Sequence, residues 1–453
     1  MMTNKEIIAL LKESTFTKIR LAVIDIDGIL RGKIISRDKF LEVVDGDLGF
    51  CDVIFGWDAS DKCYDNVELT GWHSGYPDGK AHIDLQTYRE IPWNNKLPFF
   101  LADFSNAISD GLARVCPRTL LKKIRGKAND MGLLPVFSQE FEWFNFIGTS
   151  SELSAKSYSD LQPISPGMFG YSMLRPTQYQ HYFNDLFDML EQFDVGLEGF
   201  HTETGPGVYE AAIRHDEVVN AADKAALFKN SVKEIAYNHG IIASFMAKWN
   251  ENLPGCSGHI HQSLWNMDWQ KNLFYKEGAI GSMSDIMKHY LAGVLHCMPY
   301  VMPMYAPTIN SYKRLREGAW APTTVSWGFD NRTTAVRVID GDEKSTRLEM
   351  RLPGSDTNPY LAMAASLASG LYGIQNKLEL DAAVTGNAYA DKELKSLSTN
   401  LKEATQRMKE SELANELFGA EFVRHFCATR EWEVREFDKA VTNWELKRYF
   451  EII

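Results

Sequence analysis

Apolar and polar residues alternate through the first quarter of this chain in a pattern typical of β-strands. In residues 17–36 the alternation predicts two strands, with Asp27 and Gly28 at a hairpin turn between them. Further strand-like pieces, separated by Gly and Pro turns, follow to about Trp93. We therefore predict a small β-rich domain over residues 1–112.

Residues 113–453 combine strand-like and helical patterns, which predicts a second, larger domain with an α+β fold. The predicted strands are 134–146, 197–203, 208–214, 242–248, 257–264, 333–339 and 345–352. The predicted helices are 119–131, 175–194, 217–239, 283–299 and 358–377, and the tail from about 391 onward is predicted to be helical. Gly240 stands where a C-cap glycine belongs.

Composition and charge narrow the class of protein. The 453 residues carry a net charge of −12, which argues against a nucleic-acid partner. No apolar run approaches the ~20 residues that a membrane span needs, and the N-terminus lacks the features of a signal peptide. The six cysteines include no Cys-x-x-Cys pair. We expect a cytoplasmic protein with reduced thiols and no membrane partner.

Five short clusters of charged residues stand inside otherwise apolar segments, most of them strand-like. They are Gln139-Glu140-Phe141-Glu142, Glu203 to Glu210, Ser257-Gly258-His259-Ile260-His261, Asn310-Ser311-Tyr312-Lys313-Arg314 and Arg347-Leu348-Glu349-Met350-Arg351. Residues at i and i+2 of a strand share one face, so these side chains can point together. Buried carboxylates need cationic partners. Several glutamates with one histidine suit Mg²⁺ or Mn²⁺ better than zinc.

Each cluster has a plainer interpretation when it is taken alone. Glu140 and Glu142 could lie on a solvent-facing strand edge, the Glu203–Glu210 segment could be an exposed hairpin, and His259 with His261 could be core histidines. The arginines Arg314, Arg332, Arg337, Arg347 and Arg351 crowd into 38 residues, of which a solvated face would explain two. Because no glycine-rich phosphate loop is present, we interpret them as a site for phosphate and carboxylate.

In this order the motifs resemble the glutamine synthetase family over nearly the whole chain. The motifs are Glu-x-Glu, Glu-(x)6-Glu, Asn-Ser-Tyr-Lys-Arg, Asn-Arg and Arg-x-Glu-x-Arg, followed by Asn358-Pro359-Tyr360. The resemblance implies an N-terminal β-grasp domain and a catalytic domain. In the catalytic domain, metal ligands would line an antiparallel sheet that carries helices on its outside.

The resemblance also implies two divalent metals and ATP. The ligands of the first metal would be Glu142, Glu203 and Glu210, and those of the second would be Glu140, His259 and Glu349. Glu203 would also adjoin the substrates.

The resemblance assigns the anion-binding groups as well. Glutamate would be held by Arg314, Arg351 and Gly255, with Arg351 close to the reacting groups. Arg332 would face the transferred phosphoryl group. The nucleotide would contact Arg337, Arg347, Ser257 and His261.

The family's ammonium-using members carry a glutamate on a flap where this chain has Trp320 in Glu317-Gly318-Ala319-Trp320-Ala321-Pro322. A tryptophan cannot deprotonate ammonium, but it can pack on an alkyl or aromatic group or face a protonated amine. The plainer interpretation is that Trp320 fills core space. A valine, Val208, replaces a polar glutamine of the family and points in the same direction.

Asp58 matches the family's aspartate that accepts the proton of the nucleophile in a neighbouring subunit, although Trp57 and the residues after Asp58 differ. Tyr389 resembles a nucleotidylated tyrosine of some members, but the following Leu-Pro is missing. We therefore expect no such regulation at Tyr389. The family's assembly implies a homo-oligomer, a dodecamer of two hexameric rings with active sites between subunits.

The primary hypothesis is an ATP-dependent ligase that joins the γ-carboxylate of L-glutamate to an organic amine, apolar or aromatic, through a γ-glutamyl phosphate. One alternative is glutamine synthesis from ammonium, and another is a non-catalytic structural or regulatory relative. A kinase of another fold is a remote fourth possibility, since a glycine-rich phosphate loop is missing.

Overall fold

The computed structural model describes residues 2–105 and 111–453. Its strands are β1 Lys18–Ile24, β2 Leu30–Ser36, β3 Leu48–Cys51, β4 Asp78–Ile91, β5 Leu97–Asp103, β6 Leu134–Ile147, β7 Leu197–Thr202, β8 Val208–Ile213, β9 Asp216–Glu217, β10 Ile241–Ser244, β11 Ile260–Trp265, β12 Trp327–Phe329, β13 Val336–Ile339 and β14 Arg347–Met350. Its helices are α1 Asn4–Glu13, α2 Arg37–Val43, α3 Leu112–Val115, α4 Pro117–Asp130, α5 Ser150–Ala155, α6 Arg175–Gln178, α7 Gln180–Gln192, α8 Val218–Asn238, α9 Asp285–Val301, α10 Ser311–Arg314, α11 Pro359–Gln375, α12 Leu401–Lys409, α13 Glu412–Phe418, α14 Ala420–Lys439 and α15 Asn443–Tyr449.

The N-terminal sheet has the strand order β2-β1-β5-β4-β3, with β1 and β5 parallel and the other neighbours antiparallel. Both of its faces are buried, because alternate residues of β1 enter different cores. Leu21 and Val23 pack in the core of the N-terminal part, whereas Ala22 and Ile24 join the core of the larger part. The predicted hairpin is present as β1 and β2, and Gly28 in its turn has φ +81°.

The larger sheet has the order β12-β13-β14-β11-β6-β8-β7, with β9 and β10 also paired to β6. All its pairs are antiparallel except β12 with β13, which run parallel. Helix α8 packs against β6, and α11 packs against α9, α4 and α8. The α+β prediction is confirmed, with the single parallel pair as a departure from the expected antiparallel sheet.

A buried ionic cluster joins the two parts of the molecule. The guanidinium of Arg118, at the start of α4, donates to Asp103 Oδ2 at 2.6 Å and to Asp223 Oδ1 at 2.8 Å. Tyr360 Oη of α11 donates to the same Asp223 oxygen at 2.6 Å. The predicted domain boundary, after residue 112, falls at the start of α3, and residues 106–110 just before it lie outside the described residues. The division into 1–112 and 113–453 therefore stays a prediction.

Most predicted elements are present with shifted ends, and two predictions are wrong. The helix predicted over 175–194 is broken at Tyr179, whose φ of −126° and ψ of 40° separate α6 from α7. The tail predicted to be helical from 391 becomes helical only at Leu401, because the backbone before it pairs with another segment. Gly240 has φ +68° directly after α8, as a C-cap glycine should.

Candidate active site

One face of the larger sheet collects the charged side chains. Glu140 and Glu142 alternate along β6, with apolar Phe141 facing the opposite side. The strand register places Glu142 opposite Glu210 of β8, and His261 of β11 opposite Glu349 of β14. Strand pairing therefore brings together residues that lie as much as two hundred positions apart in the chain.

Two clusters of metal-ligating side chains lie on this face, and we call them the first and second carboxylate groups. The first carboxylate group consists of Glu140, His259 and Glu349. His259 Nδ1 lies 2.9 Å from Glu140 Oε1 and 3.3 Å from Glu349 Oε1. One ligand atom from each residue falls within 4.8 Å of the other two. The structure thus brings together the three residues that the sequence grouped around the second metal.

The second carboxylate group consists of His201, Glu203 and Glu210. His201 Nε2 lies 3.2 Å from Glu203 Oε1 and 3.8 Å from Glu210 Oε2. Sequence reasoning missed His201, although His201 and Glu203 show the same i, i+2 spacing that identified the other clusters. Tyr171 was also missed, and its ring stacks on that of His201 with centroids 4.6 Å apart.

Glu142, predicted to bind a metal with Glu203 and Glu210, lies beside this second group. Its carboxylate accepts a hydrogen bond from the backbone N–H of Ser257 at 2.5 Å. The backbone N–H of Glu142 donates in turn to Ser257 O at 2.9 Å. Glu142 therefore lies between β8 and the segment that carries His259.

Burial and crowding of like charges control protonation at the site. Burial, followed by repulsion from Glu140, Glu142 and Glu203, raises the pKa of Glu210 well above its ordinary value. Burial also raises the pKa of Glu142 to about 7. Burial lowers the pKa of His259 to about 4, so its imidazole is neutral and has a lone pair available for a metal.

These residues fit divalent cations. The Nε2 atom of His259 is buried and has no hydrogen-bond partner among the described residues. Burial and then repulsion from the neighbouring carboxylates raise the pKa of Glu210, and a dication between these carboxylates would favour its charged form. Carboxylate oxygens with one imidazole are the donors that Mg²⁺ and Mn²⁺ accept.

Two of the predicted arginines contact Glu349 directly. Arg337 Nη1 donates to Glu349 Oε2 at 2.8 Å, and Arg351 Nη1 donates to Glu349 Oε1. Burial works against ionisation of Glu349, but His259 and then Arg351 outweigh it and lower the pKa of this carboxyl to about 2. Arg347 Nε lies 3.1 Å from His261 Nδ1. Three of the five predicted arginines therefore contact the first carboxylate group or its neighbour.

Arg314 and Gly255 pack against each other, close to the backbone of Arg351. The Arg314 guanidinium is buried and donates to the backbone carbonyls of Leu352 at 3.0 Å and Arg351 at 3.2 Å. A Cβ atom on Gly255 would lie 2.4 Å from Ala247 O and 2.9 Å from Arg314 Cγ. Position 255 therefore requires glycine because the backbone and Arg314 approach so closely.

Trp320 lies on the open side of the site with 65% of its surface exposed, so it does not fill core space. Its φ of +57° is left-handed, which costs a non-glycine residue roughly 1–2 kcal/mol. Arg351 Nη2 donates to Trp320 O at 3.3 Å. A cavity of about 480 Å³ adjoins the indole, lined by Trp320, Phe329, Asp330, Asn331, Arg332, Thr333, Ala383, Val384, Thr385 and Gly386.

Asp58 and Tyr389 make their hydrogen bonds to residues outside the two carboxylate groups. Asp58 Oδ1 accepts from the backbone of Ser60 at 2.8 Å, and Asp58 Oδ2 accepts from Trp432 Nε1 of α14 at 2.9 Å. Tyr389 is half-buried, and its hydroxyl donates to Ala321 O at 3.0 Å. Within the described residues, Asp58 makes no hydrogen bond or ion pair to either carboxylate group.

The comparisons with known proteins agree with this geometry. Residues 114–449 match the catalytic domain of glutamine synthetase. The chain is 51% identical over 447 residues to type-1 glutamine synthetase 2 of Dictyostelium discoideum, which covers 98% of this chain and 85% of that protein.

Two further relatives carry the names of amine ligases. Glutamate–isopropylamine ligase of a Pseudomonas species is 39% identical over 439 residues, covering 96% of this chain and 95% of the relative. The γ-glutamylethanolamide synthetase of Streptomyces coelicolor is 37% identical over 449 residues, covering 99% and 95%.

Among solved structures, GmaS in complex with ADP has the same fold, with a TM-score of 0.84 and 24% identity over 98% of this chain and 99% of that one. Within the described residues of our chain, none of the helices has the length and apolar character needed to cross a membrane.

Proposed function

This chain belongs to the glutamine synthetase family, and we propose that it joins the γ-carboxylate of L-glutamate to the nitrogen of an organic amine at the expense of ATP. A carboxylate oxygen of glutamate attacks the γ-phosphorus of ATP and ADP leaves. The amine nitrogen then attacks the acyl carbon, a carboxylate takes its proton, and phosphate leaves. The observation that carries the choice of nucleophile is Trp320, exposed at the cavity beside Arg332.

We assign the metals to the carboxylate groups. Glu140, His259 and Glu349 would hold one Mg²⁺ or Mn²⁺, and Glu142, Glu203 and Glu210 would hold a second. His201, next to Glu203, would orient that carboxylate or join the second set. When bound, the cations neutralise phosphate charge and polarise the phosphoryl oxygens.

We assign the arginines to the anionic substrates. The buried Nε of Arg351 has no hydrogen-bond partner among the described residues, and a glutamate carboxylate would supply one. The buried guanidinium of Arg314 would add a second positive charge for the glutamate carboxylates. Gly255, which has no side chain, would let glutamate approach the backbone. Arg332 at the cavity would stabilise the transferred phosphoryl group.

We assign the nucleotide phosphates to the other arginines next to the first carboxylate group. Arg337 and Arg347 would make the charged contacts, while Ser257 and His261 would lie close by. Guanidinium groups suit this role because they bind phosphate oxygens in pairs.

The cavity favours an organic amine over ammonium. Trp320, Phe329, Ala383 and Val384 offer apolar surface that ammonium cannot use. Each buried CH₂ of a substituent contributes about 0.8 kcal/mol, whereas an indole provides no general base for NH₄⁺. One relative named as a glutamate–isopropylamine ligase and another named as a γ-glutamylethanolamide synthetase support this choice. The relative named type-1 glutamine synthetase supports the second candidate, glutamine synthesis from ammonium.

We further propose that the enzyme is a cytoplasmic homo-oligomer, a dodecamer of two hexameric rings with active sites between subunits. The exposed apolar C-terminus supports assembly, since Trp444, Phe450, Ile452 and Ile453 have little cover within the chain. In that assembly Asp58 would act as proton acceptor in a neighbouring site. The six free cysteines are compatible with a reducing compartment.

The proposal is tested by glutamate- and Mg²⁺-dependent phosphate release with ammonium, methylamine, ethanolamine, isopropylamine, putrescine, histamine and aniline. Mass spectrometry of the products identifies the γ-glutamyl amide. We expect turnover with an organic amine at concentrations where ammonium is inert. Ammonium as the best substrate would favour the second candidate. A protein that turns over none of the amines would be the non-catalytic relative.

A further inference from the structure

The segment over residues 378–397 is long and irregular. All of its residues are described, yet it contains neither helix nor strand between α11 and α12. Irregular connections of this length in a compact domain are usually functional. We call this segment the strap, and it runs along the open side of the site.

The strap is bonded to the flap that carries Trp320. Tyr389 Oη donates to Ala321 O at 3.0 Å, one residue beyond Trp320. After the flap, Val325 N donates to Lys395 O at 2.8 Å, and Leu397 N donates to Thr323 O at 2.9 Å. The flap is thus paired with the strap along its C-terminal side.

The same strap is bonded to the loop that carries Arg332. Asn331 Nδ2 donates to Gly386 O at 2.8 Å, and Ala388 N donates to Thr333 Oγ1 at 2.9 Å. These bonds flank Arg332 on both sides. Two walls of the 480 Å³ cavity, the Trp320 flap and the Arg332 loop, are therefore joined through the strap.

The strap also forms the third wall of the cavity. Ala383, Val384, Thr385 and Gly386 line it together with Trp320. The backbone N–H of Val384 donates to Trp327 O at 2.9 Å, which fixes the depth of this wall relative to β12. Residues of the strap therefore border the space that the proposed function gives to the amine substituent.

We propose that the strap determines amine specificity, with Val384 limiting the size of the substituent and Tyr389 acting as a positioning residue for Trp320. This inference rests on the proposed function and deepens it. A substituent as large as a branched alkyl or phenyl group fits a cavity of 480 Å³. Tyr389 acts through the flap backbone, because the left-handed Trp320 needs its neighbouring carbonyls held to keep that conformation.

The positioning role is tested with Tyr389→Phe, which removes only the hydroxyl. We expect the amine KM to rise about three- to ten-fold for the loss of one partly buried hydrogen bond, with little change in the KM for ATP. Tyr237→Phe is the matched control, since Tyr237 is 65% exposed on α8. Equal increases in all the KM values, or an unchanged amine KM, would refute the positioning role.

The size limit is tested with Val384→Phe and Val384→Ala on methylamine, isopropylamine and benzylamine. The larger side chain should reduce kcat/KM for benzylamine by about 10–100-fold and leave methylamine nearly unchanged. The smaller side chain should shift preference towards benzylamine. Parallel losses for all three amines in both variants would overturn this assignment, and thermal midpoints identify any variant that is merely unfolded.

The amine preference of the wild-type enzyme distinguishes a failure of the proposed function from a failure of the inference about the strap. If the enzyme accepts only ammonium, the proposed function fails before the strap is tested. If it accepts organic amines and the Val384 variants keep the wild-type order of preference, only the inference about the strap fails.

Discussion

The carboxylate groups and the cavity beside Trp320 belong to one site but stand on different scaffolds. All the carboxylates except Glu203, which directly follows β7, lie on strands whose register is set by pairing on both sides, as for Glu142 opposite Glu210. The cavity is walled by a flap, a loop and the strap, which hydrogen bonds hold together. A sheet repeats the same positions across a family, whereas loops can change in length and composition at small energetic cost. We infer that metal and phosphate chemistry resides on the rigid side and amine choice on the adaptable side.

The largest effect should come from the rigid side, with Glu349→Gln. The substitution removes a charge from the first carboxylate group, takes the anionic partner from Arg351 and leaves Arg337 paired with Asp330 alone. We expect kcat to fall on the order of 10²–10³-fold for every amine alike. Glu343→Gln, on an exposed turn, is the control. A change in amine preference instead of a uniform loss would contradict the division between the two sides.

A smaller and selective effect is expected on the adaptable side, with Trp320→Glu. The new carboxylate would attract ammonium, and loss of the indole would remove apolar surface for the amine substituent. The ratio of kcat/KM for ammonium to that for the organic amine should therefore rise by roughly 10–100-fold. Competition between the two nucleophiles, measured by product mass, reports this directly. Trp320→Phe should retain the preference for the organic amine. If Trp320→Glu lowers the use of both nucleophiles equally, the indole is structural.

The smallest predicted effect concerns the apolar back of β6, where Lys229 packs. Its ammonium lies 5.7 Å from the Phe141 ring centroid and donates to Thr357 O at 2.9 Å. Burial lowers the pKa of Lys229 from 10.5 to about 7. Between pH 7 and 10.5 the unfolded chain therefore binds more protons than the native protein, so this residue makes stability rise with pH in that window.

We expect Lys229→Met to reduce that rise, which amounts to about 1.4 kcal/mol per pH unit at most. Urea unfolding at pH 7, 8.5 and 10 measures it, with the exposed Lys377→Met as control. Activity should change less than in Glu349→Gln, because Lys229 lies behind the sheet. An identical pH dependence in the Lys229→Met variant and the wild type would show that Lys229 is charged and solvated in the native state.

The prediction of the fold from the sequence succeeded where the periodicity was long. Helices α8, α9 and α11 are present within a few residues of their predicted ends, since amphipathic and apolar periodicity decides them locally. Prediction failed where contacts distant in the chain decide. The tail before Leu401 is irregular because its backbone pairs with residues 321–333, which no local pattern reveals. His201 was missed although its i, i+2 spacing from Glu203 was visible in the sequence, whereas its contact with Glu210 arises only through strand pairing.

The sequence by itself determined the elements, the identity of the charged clusters and their spacing on strand faces, because side chains on a strand alternate with a period of two. It also identified Trp320 as a departure from the ammonium-using pattern. Only the tertiary structure decided that His201 joins Glu203 and Glu210, that Trp320 is exposed at a cavity, and that the strap forms one wall of this cavity. These facts depend on register and on hydrogen bonds between segments far apart in the chain, and no local periodicity encodes them.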